Sequence, residues 1–161
     1  MANERQVLGG SIGITRDETL RAYLQTCCGI LYYDRTGLNG LAHAVVPSEF
    51  ERWYSEGSNL SSDFIATPGQ AAETLLEEMV KHGANRDNLR AGIFGCQQHE
   101  IGYGNALEAE EVISSLKIQI ARRVTATPYD LDIILGPTNI LVRVIDPNTR
   151  SHVNNIHLSY F

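Results

Sequence analysis

The chain has 161 residues, 43% of them hydrophobic and 20% charged, with a formal net charge of −6. That length suits one domain with a sizeable core, and the composition excludes a disordered or fibrous protein. The acidic balance argues against nucleic acid as a partner, because broad phosphate-backbone binding needs a basic face.

In chain order, residues 6–8 and 11–15 read as two short strands, with Gly9 and Gly10 between them and a turn at 16–18. Residues 20–33 read as one long strand. The turn-rich run Asp34-Arg35-Thr36-Gly37-Leu38-Asn39 follows, then a strand over 40–46 that Pro47 ends, because proline has no backbone donor. This pattern predicts a β-hairpin. Residues 47–68 read as an irregular loop, in which Phe50, Trp53, Tyr54 and Phe64 are candidates for packing it down or meeting a partner. A helix is expected over 68–82, with Thr67 as N-cap and Pro68 in its first turn. Ala71, Ala72, Leu75, Leu76 and Met79 form its apolar stripe, and Gly83 stops it. Residues 89–96 read as a strand, 105–116 as a second helix, and 118–121, 131–135 and 140–145 as strands. Two helices among many strands predict a sheet layer with helices on one face.

No apolar run approaches the ~20 residues of a membrane helix, so no membrane insertion is expected. Residues 1–6 lack the pattern of a signal peptide. Three cysteines, two of them the neighbours Cys27 and Cys28, make no disulfide framework, and a cytoplasmic location is expected.

Cys27 and His43 form the leading chemical constellation. On paired strands they would lie about eight residues either side of the turn, facing one another across ~4.5–5.5 Å. An imidazolium beside a thiol lowers its pKa, and the same ring protonates a leaving amine, which is acyl-transfer chemistry. A buried thiol and a histidine satisfied by a carbonyl would leave the same sequence trace. Metal binding by Cys27, Cys28, Cys96, His43 and His99 is a further reading, although structural zinc sites usually show two spaced pairs. His82, His152 and His157 read as helix-end and tail residues, Arg122 and Arg123 as a solvated pair. Glu108, Glu110 and Glu111 suit the start of the second helix.

The stretch resembles the CheD family of chemotaxis proteins, in which Gly-Ser-Cys leads into an apolar strand ending Leu-Tyr-Asp, followed by Gly-x-x-His and Leu-Pro. The matching residues are Gln25-Thr26-Cys27, Leu31-Tyr32-Tyr33-Asp34, Gly40-Leu41-Ala42-His43 and Val46-Pro47. The likeness continues through residues 72–79, Ala91-Gly92-Ile93-Phe94-Gly95, and Ile101-Gly102 with Asn105. Departures are Gln25 and Thr26 for Gly-Ser, Arg21 at a threonine thought to orient the dyad, and Cys96 at a glycine. The family's late Asp-x-Gly-Gly segment keeps Asp132 and Gly136. The resemblance implies one α/β/β sandwich domain over residues 1–161 and no cofactor. It implies a papain-like deamidation of chemoreceptor glutamines, with Cys27 as nucleophile, His43 as acid and base, and Thr26 beside them. It also implies a CheC-type phosphatase as partner. A non-catalytic binding module of the same family is the alternative.

Overall fold

The computed structural model describes residues 3–56 and 64–160, with backbone alone for 53–56. Its elements in chain order are β1 (Glu4–Gln6), β2 (Ile12–Thr15), β3 (Thr19–Leu24), β4 (Cys28–Tyr33), β5 (Asn39–Ala44), α1 (Ser48–Glu56) and α2 (Pro68–Lys81). After a short 3-10 turn at Arg86–Asn88 come β6 (Arg90–Gly95), α3 (Glu100–Ser115), β7 (Gln119–Thr125), β8 (Asp130–Leu135), β9 (Asn139–Ile145) and β10 (His152–Ser159). The strands make two five-stranded sheets, ordered β1-β3-β8-β9-β10 and β2-β5-β4-β6-β7. All pairings are antiparallel except β1 with β3 and β6 with β7.

Two cores define the layers. One lies between α2, α3 and the second sheet, built on Ile30, Tyr32, Ala72, Leu75, Met79 and Ile113 among others. The other lies between the sheets, with Leu20, Leu24, Leu31, Phe94, Ile133 and Val142. The arrangement is an α/β/β sandwich, as the resemblance implies. Central strand β4 is buried at all six positions because it feeds both cores. Its apolar run therefore shows no alternation. Each fully buried Leu or Ile there contributes roughly 1.5–3 kcal/mol.

Helix α2 forms where the sequence places it. Thr67 Oγ1 accepts from Gln70 N at 3.2 Å while Gln70 Oε1 accepts from Thr67 N at 3.4 Å, a reciprocal capping box. Gly83, at φ +98°, supplies the left-handed residue past the C-terminus.

Four expectations need correction. Residues 20–33 are two strands in different sheets, not one. The polar Gln25-Thr26 interrupts the apolar alternation of Leu20, Ala22 and Leu24, and the chain crosses between sheets there. Residues 48–56 are helical, with Glu49 and Glu51 in the first turn where the helix dipole favours them; residues 57–63 of the expected loop lie outside the described residues. Helix α3 starts at Glu100, not near 105. Its early glycines lower helix propensity but are required by packing, since a Cβ on Gly102 would come within 1.9 Å of Gln97 O. Residues 152–159 are an edge strand rather than a tail, with only Ile156 and Leu158 turned toward the inter-sheet core.

Candidate active site

The crossing at 25–27 decides where the thiols go. Cys28, the first residue of β4, opposes Ala44 and Gly95 and faces the helix layer, fully buried. There it lies against the Cys96 thiol; that neighbour and burial push the Cys28 thiol well above its ordinary value. Cys27, one residue earlier, faces the inter-sheet side and keeps partial exposure. Burial, with a smaller effect from Cys96, raises its thiol to about 11, while its own backbone N–H pulls the other way.

His43 sits in β5 opposite Gly29. Gly29 and Cys27 are two residues apart, so Cys27 and His43 occupy the same face of the second sheet as diagonal neighbours rather than as a facing pair. The expected rung is therefore offset by two residues, because the β4–β5 register pairs Gly29 with His43 and Cys28 with Ala44. His43 is 7% exposed, and burial lowers the pKa of its ring. Its Nδ1 lies 2.9 Å from Val7 O, a carbonyl that can only accept, so Nδ1 carries the proton. Nε2 is then an unprotonated lone pair, buried and without a hydrogen-bond partner. The His43 backbone is fixed on both sides: its N–H donates to Ser11 O at 3.1 Å, and its C=O accepts from Gly10 N at 2.7 Å.

The orienting group expected at position 21 is not there. Arg21 faces outward from the first sheet and donates to Asp132 through Nε at 2.9 Å and Nη2 at 2.6 Å. The Val7 carbonyl holds His43 instead, which no side-chain motif could reveal. Gln25, in place of the family glycine, turns away toward the buried Asp130, which also accepts from Gln97 Nε2 at 3.0 Å. Its side chain does not crowd Cys27. Thr26 lies in the crossing, half-buried, with its carbonyl accepting from Asn105 Nδ2 at 2.8 Å.

The turn after β6 completes the surroundings. Gly95 and Cys96 are both left-handed, at φ +86° and +54°. Cys96 N donates to Cys27 O at 2.8 Å, and Gln97 N to Gln25 O at 3.1 Å. A Cβ on Gly95 would come within 2.6 Å of Cys27 O, so glycine is required there. A cavity of about 740 Å³ opens nearby, between the Leu8–Ile12 segment, Phe64 and the Gln70–Thr74–Glu78 face of α2. Gly9 lines this cavity, and a Cβ built on it would lie 4.0 Å from His43 Nε2. The same Cβ would lie 3.3 Å from Val45 Cγ2, so Gly9 sits against both the Val45 side chain and the imidazole.

Among the described residues no group of three or more His, Cys, Asp or Glu side chains is placed to hold a metal. No helix among them is long and apolar enough to cross a membrane.

No protein-family model matches the chain. Curated relatives do. A protein of Caldanaerobacter subterraneus subsp. tengcongensis is 30% identical over 117 residues, 66% of this chain and 68% of the relative. The chain belongs to the CheD family. A Pyrococcus horikoshii protein is 34% identical over 101 residues, 62% of this chain and 57% of that one. A Methanococcus vannielii protein is 37% identical over 92 residues, 53% of each. All three are named probable chemoreceptor glutamine deamidase CheD. The match spans little more than half the length of the latter two CheD proteins.

Proposed function

We propose that this CheD-family chain is a cysteine-dependent protein-glutamine deamidase acting on helical chemoreceptor segments in the cytoplasm. The observation that carries the reading is His43: its Nδ1–H donates to Val7 O, leaving a buried Nε2 lone pair on the sheet face that Cys27 shares. A base oriented by an acceptor on its far nitrogen is the arrangement that activates nucleophiles in acyl transfer.

A thiol raised by burial and an imidazole lowered by it both favour neutral partners in the free protein. The reaction is therefore general-base catalysed rather than started from a standing thiolate. As the Cys27 sulfur bonds to the substrate amide carbon, Nε2 takes the thiol proton and the carbonyl electrons move onto oxygen. The backbone N–H of Cys27, which already lies against its own sulfur, supplies a donor for that oxyanion. When the C–N bond breaks, the imidazolium returns its proton to the leaving nitrogen and ammonia departs. Water, deprotonated by the same Nε2, then cleaves the thioester to a glutamate side chain and restores the thiol. Thr26 acts through its backbone position beside Cys27. The absence of a sulfur–imidazole hydrogen bond in the free protein accords with catalytic contacts that tighten only with substrate bound.

A second reading rests on the same raised thiol: a non-catalytic module that binds a receptor or a CheC-type phosphatase. Incubating the protein with glutaminyl receptor peptides and reading the mass of each separates the two. Conversion of an amide to an acid supports the enzyme, and intact glutamines together with measurable phosphatase binding support the module.

A further inference from the structure

Asn105 is fully buried on the inner face of α3. Its side-chain nitrogen donates to two carbonyls at once, Thr26 O at 2.8 Å and Val45 O at 3.1 Å. Thr26 immediately precedes the Cys27 thiol, and Val45 lies two residues beyond His43. The β4–β5 ladder has already ended at Cys28 and Ala44, so no backbone rung joins the chains at Cys27 and Val45. Beyond that point they diverge. Val45 N and Val46 N turn to Ala66 O, at 2.8 and 3.0 Å, while residue 26 leads back to the other sheet.

The carboxamide takes the place of the missing rung. Spanning two acceptors from one atom requires two hydrogens on that atom, which a primary amide supplies and a hydroxyl or carboxylate does not. The same requirement fixes the amide orientation, since its oxygen could not face two carbonyls. That oxygen is left buried with no hydrogen-bond partner, so the site holds this side chain for its donors.

We infer that Asn105 is a positioning residue that sets the spacing of Cys27 and His43 by clamping the carbonyls of Thr26 and Val45. This deepens the deamidase reading but rests on contacts that stand without it. Removing the clamp leaves the Thr26 and Val45 carbonyls without the link that joins them next to Cys27, whereas Cys28 and Cys96 are held by the ladder and the helix layer.

The test is iodoacetamide labelling of folded Asn105→Ala at pH 8, with peptide mapping to report each cysteine separately. Cys27 should label at least about tenfold faster than in wild type as its sulfur gains solvent, while Cys28 and Cys96 stay protected. Asn105→Ser, which keeps one donor, should fall between the two. An unchanged Cys27 rate, or all three thiols labelling together as in general loosening, would overturn the inference. On a receptor peptide that wild type converts, Asn105→Ala should lose at least about tenfold in kcat with KM within about threefold. An unchanged kcat overturns the catalytic half of the inference. If wild type converts nothing while the labelling pattern holds, the deamidase reading fails and the clamp stands.

Discussion

Glu108 offers the sharpest test of how the helix layer is assembled. It lies in α3, and its carboxylate accepts from Ser48 N at 2.7 Å and from Gly69 N at 2.8 Å. One side chain thus satisfies orphan donors at the N-termini of both α1 and α2, where negative charge also meets the two helix dipoles. A hydrogen bond to a charged group contributes about 1.5–3 kcal/mol. Halving that for the solvent-facing Ser48 bond, Glu108→Ala should cost about 2–4 kcal/mol. At roughly 2–4 °C per kcal/mol for a chain of this size, the Tm should fall by about 5–15 °C. Glu108→Gln keeps one acceptor oxygen but turns its NH2 toward the other donor, and should lose about half as much. Urea unfolding of both variants against wild type measures the difference. A Glu108→Ala protein within ~0.5 kcal/mol of wild type would refute the double-cap reasoning.

Arg21→Thr, which restores the family residue, should leave deamidation no faster, because position 21 faces away from His43. It should cost about 2–3 kcal/mol, since it strips the buried Asp132 of its two-point partner and leaves Arg143 at 3.3 Å; a gain in rate would contradict this placement. With burial raising its thiol from 9.0 to about 11, Cys27 has about 100-fold less thiolate at pH 7 than an ordinary thiol, offset somewhat under tenfold by the greater nucleophilicity of a basic sulfur. Labelling of the free protein should therefore run at least roughly tenfold slower than free cysteine and keep climbing from pH 7 to beyond pH 9, and a plateau near neutrality would point to a preformed ion pair. Burial lowers the folded-state pKa of His43, so below about 6.5 the unfolded chain takes up the proton more readily. The stability contributed by neutral His43 is present above that pH and is lost as pH falls from there through the folded value. Urea midpoints at pH 7.5 and 5 should show a shallower acid loss for His43→Gln, and parallel slopes would refute it.

The layers and the site strands were largely legible because their signals are local. The Thr67 cap, the Ala71–Met79 stripe and the Gly83 stop specify α2 without tertiary help, and the turn at Asp34–Asn39 specifies the hairpin. What was not legible depends on long-range packing. Gly102 and Gly104 argue against a helix start until Gln97 and Pro47 are seen against them. The break after Leu24 was visible as Gln25-Thr26, but period-2 counting carried through it because apolar residues resume at once. The facing Cys27–His43 pair becomes diagonal for a separate reason: the turn is centred on Thr36, which pairs Tyr33 with Asn39 and Gly29 with His43. The histidine's partner is a main-chain carbonyl from residue 7, and the chain between the paired strand ends is clamped by residue 105. Glu108 read as a dipole residue of its own helix, whereas its carboxylate caps two others.

Cys27, assisted by His43, is proposed to hydrolyse receptor glutamine side chains. The most direct measurement is the mass of a glutaminyl receptor peptide after incubation with wild type, Cys27→Ala, His43→Ala and Cys28→Ala. Conversion to glutamate by wild type and Cys28→Ala, abolished in the other two, is the predicted result. A wild type that leaves every glutamine intact, or activity that survives Cys27→Ala and disappears with Cys28→Ala, would contradict it.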